Sequence, residues 1–408
     1  MWTLQESNYP LWVRLFGKLL KYVDKEYTRH IRNIDEIKAL ENLGIGERGT
    51  PQPIIHGKIE TAAWIIPAFD PEKMYAGVYT ALRFMALMER KSIHNTLILY
   101  GDPKIETERV RDKIFQRFKI TPKVIHIERD VLPEVDAAFA TFWSSAYILQ
   151  GYVKAKRHIY FIQDYEPEFG PANAMAALAH ETYRLPMDHV VHGLSLARYL
   201  KERFNDHQHV IPYSVEPEIY YPPKVPPADK PFRVFFYGRP HVDRNDFALG
   251  AASLKKAKQL IPDLEVYCAG EPFNQKIYGL NKQWWHNMGL LTREQTAELY
   301  RRCHIVLAFG FTKNMPMVAI EAMACGCLLI TNANGYEEWI TNKGETGVAV
   351  TPTPSNIAKT LLDVKNNWGE YAKVARMGQK HAASWNWDQE SQRVLWELES
   401  EEHGQPSS

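Results

Sequence analysis

Residues 232–245, FRVFFYGRPHVDRN, decide the fold class of this chain. The apolar run 232–237 has the length and aromatic content of a buried strand, and it ends on Gly238 before a helical pattern begins. Similar runs that end in glycine or a turn occupy 264–270, 305–309 and 328–331. Short buried strands that alternate with helices indicate a parallel sheet with helices on both faces.

The same alternation occupies the N-terminal half. Buried strands are predicted at 62–67, 97–101, 137–141 and 158–162, with a helix at 78–88 between the first two. The proline-rich segment 222–227, PPKVPP, has the stiffness of a domain junction. A length of 408 residues also favours two domains. We therefore predict an α/β protein of two Rossmann-like domains whose parallel sheets face each other across a ligand cleft.

The predicted boundaries divide the chain into four parts. Residues 1–57 form an N-terminal helical extension, 58–222 the first Rossmann-like domain, 223–384 the second, and 385–408 a C-terminal helix and tail. In the extension, residues 11–32 carry apolar positions at helical spacing with basic residues between them. Such a helix could lie on an anionic membrane surface or pack on its own domain.

Composition excludes several classes of function. With 49 basic and 48 acidic side chains the net charge is +1, which gives no electrostatic reason to expect a nucleic acid partner. The chain has 4 cysteines, and their spacing lacks a second pair for zinc, so we expect reduced, small apolar residues. No run is apolar enough to span a bilayer, and the N-terminus lacks the pattern of a signal peptide. These features predict a cytoplasmic protein.

Two arginines follow the glycine at the end of the deciding strand. Gly238 would let the backbone approach a ligand closely, and the N-terminus of the next helix favours an anion. Arg239 and Arg244 could then hold the two phosphates of a nucleotide sugar through bidentate contacts. Fixed positive charge there would stabilise a diphosphate leaving group. The alternative is that both arginines are solvated surface residues.

A single carboxylate stands among apolar residues in the segment 319–327, AIEAMACGC. A buried carboxylate at Glu321 requires hydrogen-bond donors, which two ribose hydroxyls would supply. A glutamate in a helix salt bridge explains the same pattern.

These segments resemble glycosyltransferase family 4. The matching pieces occur in the order of that family: Gly238 and Arg239 with Arg244, then CAGE at 268–271, MG at 288–289, EAMACG at 321–326, NGYEE at 334–338 and TGVAV at 346–350. The resemblance implies a GT-B fold, metal-independent transfer and retention of the anomeric configuration. It also implies donor-binding roles for Gly270 and Gly289, and for Gly77 in the first domain. Gly77 could instead be an ordinary glycine at a helix start.

The resemblance is narrower at three other segments. ATFWSSAY at 140–147, YFIQDYEP at 160–167 and FFYGRPHV at 235–242 are similar to bacterial rhamnosyltransferases of the WsaF type. This implies a hexosyl or deoxyhexosyl donor, rhamnosyl among the candidates, linked to dTDP, UDP or GDP.

Three positions depart from the patterns of these families. Lys313 stands where family 4 often has a second glutamate, and lysine donates hydrogen bonds where glutamate accepts them. Leu290 replaces a lysine of the WsaF-like pattern, and Met317 replaces a tyrosine. Lys313 and Met317 are therefore predicted donor-site positions at which the donor sugar could differ from dTDP-rhamnose.

Acidic and amide side chains follow the strand predicted at 158–162. Gln163, Asp164 and Glu166 are predicted on the acceptor side, with Asp164 orienting an acceptor hydroxyl in the catalytic step. Asp164 could instead cap Arg184 or another basic neighbour. Ser195 resembles a serine that follows the last strand of the first domain in this family, or it caps a helix at 196–204.

The predicted reaction moves a hexosyl or deoxyhexosyl group from a nucleotide-diphosphate sugar to a saccharide acceptor, with no cofactor and no metal. The second domain would bind the donor and the first the acceptor. The resemblance implies bacterial surface polysaccharide synthesis, such as O antigen, on a lipid-linked acceptor at the inner membrane face. A sugar-nucleotide epimerase of the same fold and an inactive nucleotide-sugar-binding subunit are the alternatives.

Overall fold

A computed structural model describes residues 57–72, 74–204 and 207–400. The predicted extension 1–57, with its helix at 11–32, lies outside the described residues apart from Gly57. The strands of the first domain are β1 (Thr61–Pro67), β2 (His94–Tyr100), β3 (Lys123–His126), β4 (Val135–Ala140), β5 (Ala155–Ile162), β6 (Asp188–His192) and β7 (Gln208–Ile211). Its helices are α1 (Ala76–Arg90), α2 (Thr107–Phe118), α3 (Trp143–Tyr152), α4 (Ala174–Glu181) and α5 (Leu194–Phe204).

The second domain repeats this alternation. Its strands are β8 (Phe232–Gly238), β9 (Leu264–Gly270), β10 (Trp285–Gly289), β11 (Ile305–Leu307), β12 (Leu328–Asn332) and β13 (Val348–Val350). Its helices are α6 (Phe247–Leu260), α7 (Arg293–Arg301), α8 (Met317–Ala324), α9 (Glu338–Thr341), α10 (Pro354–Asn366) and α11 (Trp368–Ala382), and the last helix of the described chain is α12 (Trp387–Glu399).

Two parallel sheets form the two domains. The first has the order β3-β2-β1-β4-β5-β6-β7, and the second has the order β10-β9-β8-β11-β12-β13. Each domain therefore starts with a central strand and adds strands outward on both sides, which confirms the predicted doubly wound α/β fold. The second sheet has six strands where the sequence predicted four, because β10 and β13 are short and contain exposed positions.

Aromatic packing holds the middle of the first sheet. Trp64 on β1 stacks on Phe139 of β4 at 4.1 Å between ring centroids and meets Phe161 of β5 edge-on at 5.7 Å. Its indole N–H donates to Asn95 Oδ1 at 3.0 Å, so the buried polar atom is paired. This cluster fixes β1, β4 and β5, and the predicted acceptor-side residues follow the carboxyl end of β5.

The last helix returns to the first domain. Trp387, Leu395 and Leu398 of α12 are buried in the same core cluster as Trp64. At its end the Glu399 carboxylate accepts from the backbone N–H of Ile59 at 2.9 Å. The sequence predicted this helix at 385–398, two residues earlier at its start, but not where it packs.

The chain passes to the second domain soon after β7. Tyr213, Val215 and Tyr220 are buried in a cluster with Phe235 of β8, and the ring of Tyr213 contacts Trp339 at 5.6 Å. The segment therefore packs on the second domain before it reaches the prolines at 222–227.

All four cysteines are buried and unpaired, which confirms the expectation that they are free thiols. No helix in the described parts of the chain is long and apolar enough to cross a bilayer.

Candidate functional site

A cavity of about 410 Å³ lies between the two domains, at the carboxyl ends of both sheets. Its walls include the first-domain residues Gly77, Gln163, Asp164 and Glu166, which are four of the predicted site residues. The second domain contributes five more predicted residues, namely Arg239, Arg244, Gly270, Met317 and Glu321. A ligand in this cavity would therefore touch both domains.

Arg239 and Arg244 both face this cavity. Arg239 follows β8 directly, and its guanidinium lies 4.3 Å from the ring centroid of Tyr75. Arg244 lies in the short 3-10 turn Asp243–Asn245, with its guanidinium 4.2 Å from the ring centroid of Phe169. Both rings belong to the first domain. The two guanidiniums are thus partly shielded by aromatic rings and are not free surface residues.

Gly270 and Gly238, the two glycines beside Arg239, have different structural roles. A Cβ atom on Gly270 would lie 2.9 Å from Cγ of Arg239, so this glycine makes room for the arginine side chain. A Cβ atom on Gly238 would lie 2.3 Å from Sγ of Cys268, inside the domain core. Close packing of β8 on β9 and α6 requires the glycine at position 238, which also lies outside the cavity wall, and its approach to a ligand stays a prediction.

At the N-terminus of α6, one of the backbone N–H groups already has a hydrogen-bond partner within the protein. The side chain of Asp246 accepts from the backbone N–H of Leu249 at 3.1 Å, as an N-cap. The structure therefore assigns the positive charge near this helix start to Arg239 and Arg244 more than to free backbone N–H groups.

Glu321 of α8 lines the cavity and is largely but not fully buried, with 13% of its side chain exposed. The Tyr300 hydroxyl donates to its Oε2 at 3.4 Å, and Nη2 of Arg293 lies 3.6 Å from its Oε1. Burial raises the pKa of Glu321, although the charge of Arg293 opposes the shift. The long contacts leave the carboxylate able to accept from a ligand, so the ribose role stays a prediction, and the alternative of a salt-bridged glutamate describes part of its surroundings.

Arg293 also binds Glu216, which lies in the connection between the domains. Its Nη1 and Nη2 donate to the two carboxylate oxygens of Glu216 at 2.6 Å and 2.5 Å. From the first domain, Arg83 approaches the same carboxylate at 3.2 Å, and the Tyr79 hydroxyl donates to it at 3.1 Å. Burial raises the pKa of Glu216, but the two arginines outweigh burial and hold it below its usual value. Sequence reasoning missed this ionic cluster between the domains.

Asn314 joins the domains on the other side of the cavity. Its amide donates to the backbone carbonyls of Gln163 and His192, each at 3.0 Å, and its Oδ1 accepts from the Ser195 hydroxyl at 3.3 Å. Ser195 therefore contacts the second domain from the first turn of α5, which starts earlier than predicted. No motif in the sequence marked Asn314.

The acceptor-side residues lie where β5 ends. The Gln163 amide donates to the backbone carbonyl of Gly77 at 2.9 Å, which ties two predicted residues together. Asp164 accepts from the backbone N–H of Tyr165 at 2.8 Å, and burial raises its pKa although Thr312 and Arg244 oppose the shift. Of the alternative partners, Arg184 pairs with Glu181 at 2.7 Å instead, and Arg244 is the basic neighbour whose charge acts on Asp164.

Glu166 is buried at the cavity wall. Its Oε2 accepts from the backbone N–H of Trp143 at 2.5 Å and from the Tyr160 hydroxyl at 3.1 Å. Burial raises the pKa of Glu166 to about 8, and the nearby Asp164 adds to the shift, so the carboxyl is mostly protonated at neutral pH.

We expect Glu166→Gln to stabilise the protein at high pH. The folded state binds this proton more tightly than the unfolded state, so the stability that it contributes is complete below the usual pKa of glutamate and is lost as the pH rises through about 8. Glutamine keeps an acceptor for Trp143 and Tyr160 and cannot ionise. Its free energy of unfolding relative to wild type should rise by about 1–3 kcal/mol from about pH 5 to about pH 9, measured by urea denaturation.

The control for this series is Glu298→Gln, because Glu298 is an exposed glutamate on α7. Its difference from wild type should stay constant over the same pH range. A Glu166→Gln difference that is equally constant would contradict the raised pKa.

Two further predicted donor residues, like Gly238, lie outside the cavity wall. Lys313 turns to the first domain, where its ammonium binds the carboxylate of Glu168 at 2.7 Å. Gly289 ends β10, and the next two residues, Leu290 and Leu291, line the cavity in its place. The donor-binding roles of Lys313 and Gly289 stay predictions.

Two solved structures superpose on most of this chain. HepE from Anabaena, solved with UDP and glucose, superposes with a TM-score of 0.64 at 13% identity, covering 83% of this chain and 99% of that one. TarM from S. aureus, solved in a complex with alpha-GlcNAc-glycerol and UDP, superposes with a TM-score of 0.66 at 8% identity, with coverage of 83% and 99%. These superpositions show a GT-B fold.

Sequence comparison gives one matching family model and one relative that covers most of this chain. Residues 232–362 match the family model of the WsaF C-terminal domain. The O-antigen biosynthesis protein RfbC of Myxococcus xanthus is 33% identical over 349 residues, which covers 83% of this chain and 27% of that protein. Residues 232–362 therefore resemble the WsaF C-terminal domain, and most of the chain is similar to a protein of O-antigen biosynthesis. The chain spans about a quarter of the length of RfbC.

Proposed function

We propose that the chain transfers a hexosyl or deoxyhexosyl group, rhamnosyl among the candidates, from a nucleotide-diphosphate sugar to a saccharide acceptor. The observation that carries this proposal is that Arg239, Arg244 and Glu321 of the second domain line the same cavity as the first-domain carboxyls Asp164 and Glu166. The likeness to an O-antigen biosynthesis protein supports a bacterial surface polysaccharide as the product. A lipid-linked acceptor and contact with the inner membrane face complete the proposal.

The proposed reaction is a retaining transfer without an enzyme nucleophile, a cofactor or a metal. Glu321 accepts from the ribose hydroxyls, and the donor is linked to dTDP, UDP or GDP. The bond between the anomeric carbon and the phosphate oxygen breaks while the acceptor oxygen bonds to that carbon on the same face. Arg239 and Arg244 neutralise the diphosphate as it leaves. The proton of the acceptor hydroxyl passes to the oxygen of the departing diphosphate. Asp164 orients the acceptor hydroxyl.

A donor screen tests this function. The full chain is heated with UDP-, GDP- and dTDP-sugars, and each is compared with the matching nucleoside monophosphate, which lacks the diphosphate. A true donor at 100 times its Kd should stabilise the protein by about 2.7 kcal/mol. Transfer of radiolabelled sugar to a lipid-extractable acceptor then separates an enzyme from an inactive binding subunit. If no sugar nucleotide stabilises the chain beyond its monophosphate and no label is transferred, the proposal fails.

A further inference from the structure

Three guanidiniums of the second domain each lie over an aromatic ring of the first domain. The distances from guanidinium carbon to ring centroid are 4.3 Å for Arg239 over Tyr75, 4.2 Å for Arg244 over Phe169 and 4.1 Å for Arg293 over Tyr79. The rings come from two separate elements, the start of α1 and the 3-10 turn Glu166–Phe169. The repeated arrangement follows the contact between the domains along the cavity.

Stacking leaves the hydrogen-bonding groups of an arginine available. A cation–π contact uses the face of the guanidinium, whereas its N–H groups point outward in the plane. In agreement, Nε of Arg239 is buried without a hydrogen-bond partner among the described residues. Within the same residues no carboxylate forms an ion pair with Arg239 or Arg244. An anion that enters the cavity would therefore meet two ordered guanidiniums that no carboxylate of the described residues holds.

We propose that Tyr75 and Phe169 are positioning residues that hold Arg239 and Arg244 ready for the diphosphate of the donor. A long arginine side chain loses rotamer freedom when it binds a ligand, and a ring that orders it beforehand lowers this loss. The proposal rests on the proposed function, since it concerns the same diphosphate. It adds that the first domain takes part in donor binding through rings that need not touch the donor.

This arrangement links the diphosphate site to the relative position of the two domains. Each guanidinium belongs to the second domain and each ring to the first, so both stacks exist only when the domains are as close as they are here. Separation of the domains would release both side chains into solvent. Donor affinity should therefore depend on first-domain residues even though the phosphate ligands lie in the second domain.

Tyr75 is the better position for a test. It is 40% exposed, and its side chain forms no capping hydrogen bond at the start of α1, so Tyr75→Leu removes the ring without removing a cap. Tyr75→Phe keeps the ring and removes only the hydroxyl. Tyr221 supplies a matched control, because Arg301 lies 4.3 Å from its ring centroid and Tyr221 is 48% exposed, but neither residue lines the cavity.

The measurement is the Kd of the full chain for UDP, GDP, dTDP and inorganic pyrophosphate by calorimetry. For the best of these probes, Tyr75→Leu should raise the Kd by about 3- to 30-fold, while Tyr75→Phe and Tyr221→Leu should stay within about two-fold of wild type. Phe169→Leu should also raise it. Rescue by phenylalanine separates positioning from a general structural defect.

Arg239→Ala, measured with the same probes, distinguishes the two proposals. If Arg239→Ala weakens binding and Tyr75→Leu equals Tyr75→Phe, the positioning role is overturned and the diphosphate site stands. If Arg239→Ala leaves every Kd unchanged, the diphosphate site fails and the positioning role fails with it.

Discussion

Arg239→Ala is expected to lower kcat/KM for sugar transfer by about 10²- to 10³-fold, the usual effect of removing one fixed donor from developing negative charge. The guanidinium lies at the end of β8, on the cavity wall and against Tyr75. Partial exclusion of water from this wall strengthens its interaction with a departing diphosphate. The assay measures transfer from the donor that the screen identifies, at several donor concentrations.

Two further variants make this result specific. Arg239→Lys keeps the charge but loses the planar fork, so its activity should fall between those of wild type and Arg239→Ala. Arg376→Ala removes an exposed arginine of α11 and should leave transfer unchanged. An Arg239→Ala enzyme with wild-type kcat/KM would overturn the assignment of the leaving group to this arginine.

Arg293→Ala should lower the free energy of unfolding by about 3–5 kcal/mol, the cost of leaving a buried charge without its partner. Glu216 would lose both of its short contacts to Arg293, and Glu321 would lose its nearby positive charge. Arg83 remains beside Glu216, but its single contact at 3.2 Å does not replace a bidentate pair. Urea denaturation followed by both tryptophan fluorescence and circular dichroism measures the change.

The neighbouring Arg302→Ala serves as the control, because this arginine is exposed at the end of the same helix. Its free energy of unfolding should remain within about 0.5 kcal/mol of wild type. Adding Glu216→Gln to Arg293→Ala removes one of the two carboxylates that the loss of Arg293 leaves without a partner. The double variant should therefore regain part of the lost free energy of unfolding. A loss below about 1 kcal/mol for Arg293→Ala would show that the cluster contributes no more than an ordinary surface pair.

The architecture was accessible from sequence because its signals are local. A buried strand followed by a turn and a helix can be recognised within a single short segment, and β8 and β9 have the predicted bounds. Arg239 and Arg244 were found for the same reason, since they directly follow a strand. The short strands β3, β6 and β7 were missed, because lysine, aspartate, glutamine and histidine interrupt their apolar runs.

The contacts between the domains were not accessible in this way. Glu216 and Arg293, or Asn314 and His192, are far apart in the sequence, and nothing near either residue identifies its partner. The departure at Lys313 was noticed, but its partner Glu168 lies in the other domain. Such pairings depend on how two complete domains face each other, which no single segment encodes.

The return of α12 to the first domain has a mechanical consequence. Within residues 57–400 the described backbone crosses between the two domains twice, once after β7 and once before α12. Because two segments connect the domains, opening of the cleft becomes a rotation about the line that joins these two connections. A single connection would leave the domains free to move in more directions. A chain that ends at residue 362, where the match to the WsaF C-terminal domain ends, would lack one of the two connections. It would also lack the part of the first-domain core that α12 supplies.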